Sequence, residues 1–125
     1  MAKRVCNYYL NRLPSDLICN WDLMYTDENE QRDSSAAPVA ACGLLELAKH
    51  LKDDDPHKEI YIRAAESIVR SLAESYTTKG RESNGLLMHG VYCKGRWGDD
   101  ECCMWGDYFY MESLIRLKQD WNIYW

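Results

Sequence analysis

The sequence contains no long apolar run, and this absence sets the first limits on its class. No stretch approaches the roughly 20 consecutive apolar residues that a membrane-spanning helix needs. The opening Met1–Arg4 is followed by no continuous apolar segment like that of a secretory leader. We therefore expect a cytoplasmic protein that has no membrane partner.

Positive charge is also scarce. The sequence has 15 Lys and Arg residues against 20 Asp and Glu residues, which makes the formal net charge -5 at pH 7. Proteins that bind nucleic acids usually carry a basic patch or stripe, so we expect no nucleic-acid partner. A small acidic ligand is compatible with this charge, because a few local donors can bind one carboxylate whatever the net charge.

The six cysteines show no C-x-x-C spacing. In a core-forming chain of average size without an export signal, we predict free thiols rather than a disulfide framework. A zinc site formed by His89, Cys93 and Cys102–Cys103 is disfavoured, because adjacent cysteines seldom both ligate one ion. The acidic runs at 53–55 and 99–101 lack the spacing of an EF-hand. We expect no metal and no other cofactor.

What the sequence does contain is helical periodicity, which predicts an all-α fold. Apolar residues at helical spacing precede Pro14, so an initial helix ends by that residue. Residues 33–35 can cap a second helix near 34–51, with Pro38 tolerated in its first turn. Small apolar residues lie on nearly all sides of this helix, which places it in an inner layer.

Two more helices follow the same pattern. Asp55 and Pro56 can start a helix near 57–78, whose one charged face predicts an outer position. A helix near 104–119 is apolar around most of its circumference, which predicts a second inner helix. Its Glu112 and Arg116 have the spacing of an i, i+4 ion pair.

Long irregular stretches precede both inner helices, at 14–33 and 77–103. Loops of this length inside compact domains are usually functional or disordered, and the apolar centre of the first favours a packed, functional loop. We expect the two loops to converge and to form the site.

Four motifs connect this pattern to a known family. They are DSSAA at 33–37, AACGLLE at 40–46, NGLLMHG at 84–90 and WGDYFYME at 105–112. In this order they resemble the C-terminal part of the unsaturated glucuronyl hydrolases of glycoside hydrolase family 88. Shorter matches, YYLNRLP at 8–14, WD at 21–22 and DWNIYW at 120–125, extend the resemblance to nearly the whole chain.

The resemblance implies that residues 1–125 form a single partial domain. It would be the C-terminal helical hairpins of an (α/α)6 barrel, a toroid of six hairpins. Because an inner helix expects neighbours on nearly all sides and few helices remain here, we also predict self-association.

The resemblance also implies a chemistry. The family hydrates the C4=C5 bond of the unsaturated uronic acid that polysaccharide lyases leave on oligosaccharides, by aspartate acid/base catalysis. Its essential aspartates lie upstream of the matched segment, so the resemblance assigns no catalytic residue here and implies a fragment that is inactive alone. Whether the chain is itself an enzyme stays open. The alternative is a non-catalytic helical module for assembly or interaction.

Polar candidates for binding an unsaturated uronic-acid oligosaccharide lie near the two loops. Asp33 and Ser34 stand at a helix start, where amide donors could bind the uronate carboxylate. His89 and Tyr92 could hydrogen-bond a sugar hydroxyl or carboxylate. The alternatives are a simple helix cap for the first pair and a structural histidine bonded to backbone for His89.

Aromatic candidates lie beside them. Trp105 and Tyr108 near the start of the last helix, and Trp21 in the first loop, could present a ring face to a pyranose. Asp107 could accept protons from sugar hydroxyls. The alternative is core packing with one satisfied carboxylate, because aromatic residues at helical spacing more often belong to a core.

Overall fold

The computed structural model describes residues 1–122 and contains the four predicted helices. A single π-helical turn, Leu72–Tyr76, continues the third of them, so the long helix predicted there changes its hydrogen-bond pattern near its end. Residues 123–125 of the predicted closing motif lie outside the described residues. The helices are α1 (Ala2–Leu10), α2 (Ala36–Lys49), α3 (Pro56–Ser71) and α4 (Met104–Lys118).

Pairing between extended segments is limited to single bridges. In the part of the chain that the structure describes, no strand forms, and four isolated antiparallel bridges tie the loops together. They join Asn20 with Arg32, Thr77 with Leu87, Gly90 with Glu101 and Cys93 with Gly98. No helix among these residues is long and apolar enough to cross a membrane.

The start of α3 follows the sequence prediction. Asp55 is the N-cap, its carboxylate accepts a hydrogen bond from the His57 N–H, and Pro56 occupies the first helical position. Tyr61 and Ile68 are fully buried on the inner side. Because the charged side chains lie on the opposite, exposed side, α3 is the outer helix that the pattern predicts.

The start of α2 differs from the prediction of a simple side-chain cap. Ser35 occupies the cap position in helical conformation, and its side chain makes no capping hydrogen bond. The Asp33 carboxylate accepts the Ser35 N–H instead, at 3.0 Å. Ser34 is buried, and its hydroxyl donates to the Met88 carbonyl. The capping groups are therefore used to hold a distant loop.

Helix α2 occupies the centre of the fold and contacts the other three α-helices. Its buried Ala37, Ala41 and Ala48 let neighbouring backbones approach closely, and Leu44 fills the space between them. Helix α4 packs against α2 through Tyr110 and other residues on one face only. Helix α4, which was predicted to be an inner helix, is thus buried on one face and exposed on the other.

A buried ion network joins α2 and α4. Arg116 Nε donates to Glu112 Oε1 at 2.8 Å, which confirms the predicted i, i+4 pair. Arg116 Nη1 also donates to Glu46 Oε2 of α2 at 2.7 Å. Hydrogen bonds from Arg116 and the charge of Lys49 hold the pKa of Glu46 below its ordinary value. The network keeps two inner helices in register.

Candidate functional site

The two long loops meet at the starts of α2 and α4. The Gln31 side chain donates to the Asp99 carbonyl and accepts a hydrogen bond from the Lys94 ammonium group. The same ammonium group lies over the Trp21 ring, 5.6 Å from its centroid. The predicted convergence of the loops is confirmed, and it brings Trp21 to the site through Lys94.

Asp33 ties the second loop to the start of α2. Its Oδ1 accepts hydrogen bonds from the Val91 N–H at 3.0 Å and from the Ser35 hydroxyl at 2.7 Å. The Ser35 hydroxyl in turn accepts from Trp105 Nε1 at 3.1 Å. One carboxylate therefore connects a loop, the central helix and the first turn of α4.

Three aromatic rings form a cluster on this surface. The Tyr92 ring lies 5.3 Å from the Trp97 ring and 5.4 Å from the Trp105 ring, edge to face in both cases. A Cβ atom on Gly98 would lie 2.5 Å from the Tyr92 ring, so glycine is required there. We call Tyr92, Trp97 and Trp105 the aromatic platform. All three are exposed and can offer ring faces to a ligand.

Trp97 was not among the residues predicted from sequence. It sits between Gly95 and Gly98, in a loop whose length already indicated a functional role. An aromatic residue flanked by glycines in such a loop was the available signal, because a core aromatic residue seldom lies in so open a segment.

His89 holds an unusual backbone conformation next to this cluster. Its φ is 68°, in the left-handed region that residues with a side chain rarely adopt. The Ser34 N–H donates to the His89 carbonyl at 3.0 Å and fixes this conformation. His89 Nδ1 lies 2.7 Å from Asp100 Oδ1. The partner of the ring is therefore a carboxylate, whereas the alternative of a structural histidine predicted a bond to the backbone. Residues held in strained backbone conformations are often found at functional sites.

A polar cavity of about 350 Å³ lies beside His89 and includes residues that sequence reasoning missed. Its Arg32 is already engaged, because its Nε lies 3.0 Å from Asp16 Oδ2 and its Nη1 lies 2.8 Å from Asn20 Oδ1. The Tyr76 hydroxyl donates to Asp16 Oδ2 at 2.7 Å. Burial and the Asp16 carboxylate raise the pKa of Tyr76 well above its ordinary value, so its phenol stays protonated.

The remaining predicted residues have other surroundings. The Asp107 carboxylate accepts the N–H groups of Leu86 and Leu87, both at 3.0 Å, which matches the alternative of a satisfied carboxylate. Tyr108 lies on the exposed face of α4, and its ring packs edge-on against Phe109. Trp21 Nε1 donates to Glu30 Oε1 at 3.1 Å.

Across residues 1–122, no group of three or more His, Cys, Asp or Glu side chains is placed to hold a metal ion. All six cysteines are free. Burial raises the pKa of the Cys103 thiol at the start of α4, which keeps it protonated near neutral pH and unreactive as a nucleophile.

No family model matches the sequence, but individual known proteins are similar to it along its whole length. The chain is 48% identical to the unsaturated chondroitin disaccharide hydrolase of Streptococcus pneumoniae strain R6, over 100% of this chain and 32% of that protein. It is 38% identical to the unsaturated glucuronyl hydrolase of Bacillus sp. strain GL1, over 99% of this chain and 34% of that protein. Along its whole length the chain is homologous to about a third of an unsaturated glucuronyl hydrolase.

Solved structures of the family agree with this assignment. A crystal structure of a mutant unsaturated glucuronyl hydrolase from Streptococcus agalactiae superposes with a TM-score of 0.90 at 46% identity, over 98% of this chain and 36% of that chain. Because these unsaturated glucuronyl hydrolases are α/α-barrels, the predicted fold class is confirmed. A second mutant of the Streptococcus agalactiae enzyme is complexed with dGlcA-GalNAc6S. The chain spans about a third of the length of the curated relatives that it matches.

Proposed function

We propose that this chain forms one wall of the sugar site of a glycoside hydrolase. The substrate class is an oligosaccharide that ends in an unsaturated glucuronyl residue. The observation that carries the proposal is identity of 38% to 48% along the whole chain to hydrolases named for such substrates. The complex of one relative with dGlcA-GalNAc6S supports the same ligand class.

The surface at the converging loops supplies suitable groups. The aromatic platform can contact the apolar face of a pyranose, and Trp21 and Tyr108 can extend that contact. His89, beside the polar cavity, can hydrogen-bond a hydroxyl or the uronate carboxylate. Asp33, Ser34 and Asp107 support this surface without contacting the sugar in this proposal. The two carboxylates accept hydrogen bonds from N–H donors of the second loop, and the Ser34 hydroxyl donates to the Met88 carbonyl of that loop.

The proposal places the catalytic acid outside this chain. Hydration of the C4=C5 bond adds a proton to C4 and the hydroxyl group of a water molecule to C5, while the other proton of that water goes to a base. The resulting hemiketal opens and releases the neighbouring sugar. A positioned acid must supply the proton. Asp33 Oδ1 accepts hydrogen bonds from the Ser35 hydroxyl and the Val91 N–H, and the two Asp107 oxygens accept from the Leu86 and Leu87 N–H groups, so these three oxygens are occupied as acceptors.

Activity of the chain by itself tests this assignment. We expect no loss of the ultraviolet absorbance of the conjugated alkene when the chain is mixed with an unsaturated chondroitin disaccharide. General acid/base groups typically contribute about 10² to 10⁴-fold, and an open half-cleft cannot fix the sugar ring. A full-length family enzyme is the positive control. Turnover that disappears in Asp33→Asn or Asp107→Asn, with unchanged circular dichroism, would contradict the proposal.

A non-catalytic helical module for assembly is the second candidate function. The observation that favours it is the large exposed apolar surface of α4, which includes Met104, Met111 and Ile115. Such surfaces mark sites of association. Sugar binding separates the two candidates: perturbation of the tryptophan fluorescence by an unsaturated disaccharide, lost in Trp105→Ala, supports the first and is not expected of the second.

A further inference from the structure

Most polar side chains around the cavity beside His89 are already engaged within the protein. The side chains of Gln31, Arg32 and Tyr76 use their polar groups in hydrogen bonds to neighbouring residues. Nε2 of His89 forms no hydrogen bond within residues 1–122. This nitrogen is therefore left for a ligand, together with carboxylate oxygens of Asp99 and Asp100, which also line the cavity.

The main chain at His89 is held on both sides. Its left-handed conformation is fixed by the hydrogen bond from the Ser34 N–H to its carbonyl, at 3.0 Å. The next residue, Gly90, exchanges two main-chain hydrogen bonds with Glu101, at 2.8 and 2.9 Å. A Cβ atom on Gly90 would lie 2.9 Å from the Glu101 carbonyl oxygen, so glycine permits this close pairing. The pairing brings the segment 99–101 next to His89.

The Asp100 carboxylate determines which nitrogen of the His89 ring carries the hydrogen. Nδ1 lies 2.7 Å from Asp100 Oδ1, and an ionised carboxylate oxygen can only accept a hydrogen bond, so Nδ1 must donate it. In a neutral imidazole this arrangement leaves Nε2 with a lone pair, as an acceptor. The Tyr76 ring packs against the His89 ring at 87°, with 6.1 Å between centroids, and limits its rotation.

We propose that Asp100 is a positioning residue, which holds His89 in the Nδ1–H tautomer so that Nε2 accepts a hydrogen bond from a sugar hydroxyl group. The identity of the ligand group rests on the proposed function. A neutral ring in this tautomer offers Nε2 as an acceptor, and a uronate carboxylate has no hydrogen to give it. The geometry therefore assigns His89 to a hydroxyl group of the oligosaccharide, and the uronate carboxylate must be bound by other donors.

Nuclear magnetic resonance tests the tautomer without any sugar. The chain is labelled with ¹⁵N in its histidines, and the chemical shifts of the two ring nitrogens are measured at about pH 8.5, where imidazole is ordinarily neutral. The His89 signals are those missing from His89→Asn. We expect hydrogen on Nδ1 in the wild-type chain. In Asp100→Ala the partner of Nδ1–H is gone, so the ring should shift towards the Nε2–H tautomer.

Disaccharide binding, followed by tryptophan fluorescence, tests what Nε2 does. His89→Asn is a sharp variant, because asparagine tolerates the left-handed backbone and keeps a donor for Asp100 but has no atom in place of Nε2. We expect His89→Asn and Asp100→Ala each to weaken binding about 5- to 10-fold. Glu101→Ala is the matched control. It removes one carboxylate from the adjacent position, keeps the main-chain pairing with Gly90, and should change binding by less than about 2-fold.

The double variant shows whether Asp100 acts through His89. If it does, Asp100→Ala should cause no further loss of affinity once His89→Asn is present. A further loss would overturn the positioning role, and so would a His89 ring that keeps Nδ1–H in Asp100→Ala. Full affinity in His89→Asn, with circular dichroism unchanged, would overturn the contact to Nε2.

Failure of the proposed function gives a different result. A wild-type chain that binds no unsaturated disaccharide would contradict the sugar wall and, with it, the hydroxyl contact. The tautomer measurement needs no ligand, so it still decides whether Asp100 positions the His89 ring. A tautomer that changes in Asp100→Ala but not in Glu101→Ala supports that role.

Discussion

Backbone N–H groups determine what the two predicted acidic residues can do. Asp33 Oδ1 accepts from Val91 and Ser35, and Asp107 accepts from Leu86 and Leu87. A carboxylate engaged in this way fixes the loop that carries its donors. At the residue scale, Asp33 therefore fixes the loop of the aromatic platform at the start of α2, and Asp107 fixes the same loop at Leu86 and Leu87.

Asp107→Asn should lower the free energy of unfolding by roughly 1 to 2 kcal/mol, because the amide keeps one acceptor oxygen and turns an N–H donor towards a backbone N–H. Urea denaturation followed by circular dichroism measures the change. Asp54→Asn, in an exposed turn, is the control and should have no measurable effect. Equal stability of the two variants would show that the Leu86 and Leu87 hydrogen bonds contribute nothing.

At the element scale, Asp55 links two helices. It caps α3, and its carboxylate also accepts a hydrogen bond from the Lys3 ammonium group of α1. The hydrogen bonds from Lys3 and from the His57 N–H lower the pKa of Asp55 to about 2. Because the folded pKa lies below the ordinary value, ionised Asp55 stabilises the fold above that ordinary value, and the contribution is lost as the pH falls towards 2.

Asp55→Asn should therefore destabilise the chain near neutral pH and lose that effect in acid. Asparagine keeps the capping oxygen but removes the charge that binds Lys3. The difference in unfolding free energy between the wild-type chain and the variant should shrink as the pH is lowered from about 6 to about 3. Urea denaturation at several pH values measures it. A difference that stays constant with pH would contradict the role of the charge.

At the scale of the whole molecule, the uncovered surfaces predict self-association of the isolated chain. One face of α4, with Met104, Met111 and Ile115, and the groove between α1 and α2 beside Val5 expose apolar side chains that water solvates poorly. Sedimentation at micromolar concentration should show oligomers, and Met111→Lys should shift the distribution towards monomer while Ile60→Lys should not. A compact monomer that binds no dye for apolar surfaces would refute this expectation.

The order of the helices could be predicted because their signals are local. Signals that act over a few residues determine where the helices begin or end. They include Pro14 after α1, the cap Asp55 and Pro56 at the start of α3, and the 3.6-residue period of α4. The family motifs occur in order along the chain, so the resemblance, too, needed no coordinates. The sequence by itself determined the all-α class and the family.

Tertiary structure alone decided which groups of the site are already engaged. Trp105 donates to Ser35, 70 residues away, and Val91 donates to Asp33 across 58 residues, so no local pattern reports these contacts. The same holds for the left-handed backbone of His89 and for the packing of Trp97 against Tyr92. Hydrogen-bond partners and ring contacts depend on how distant loops meet, and that meeting exists only in the folded chain.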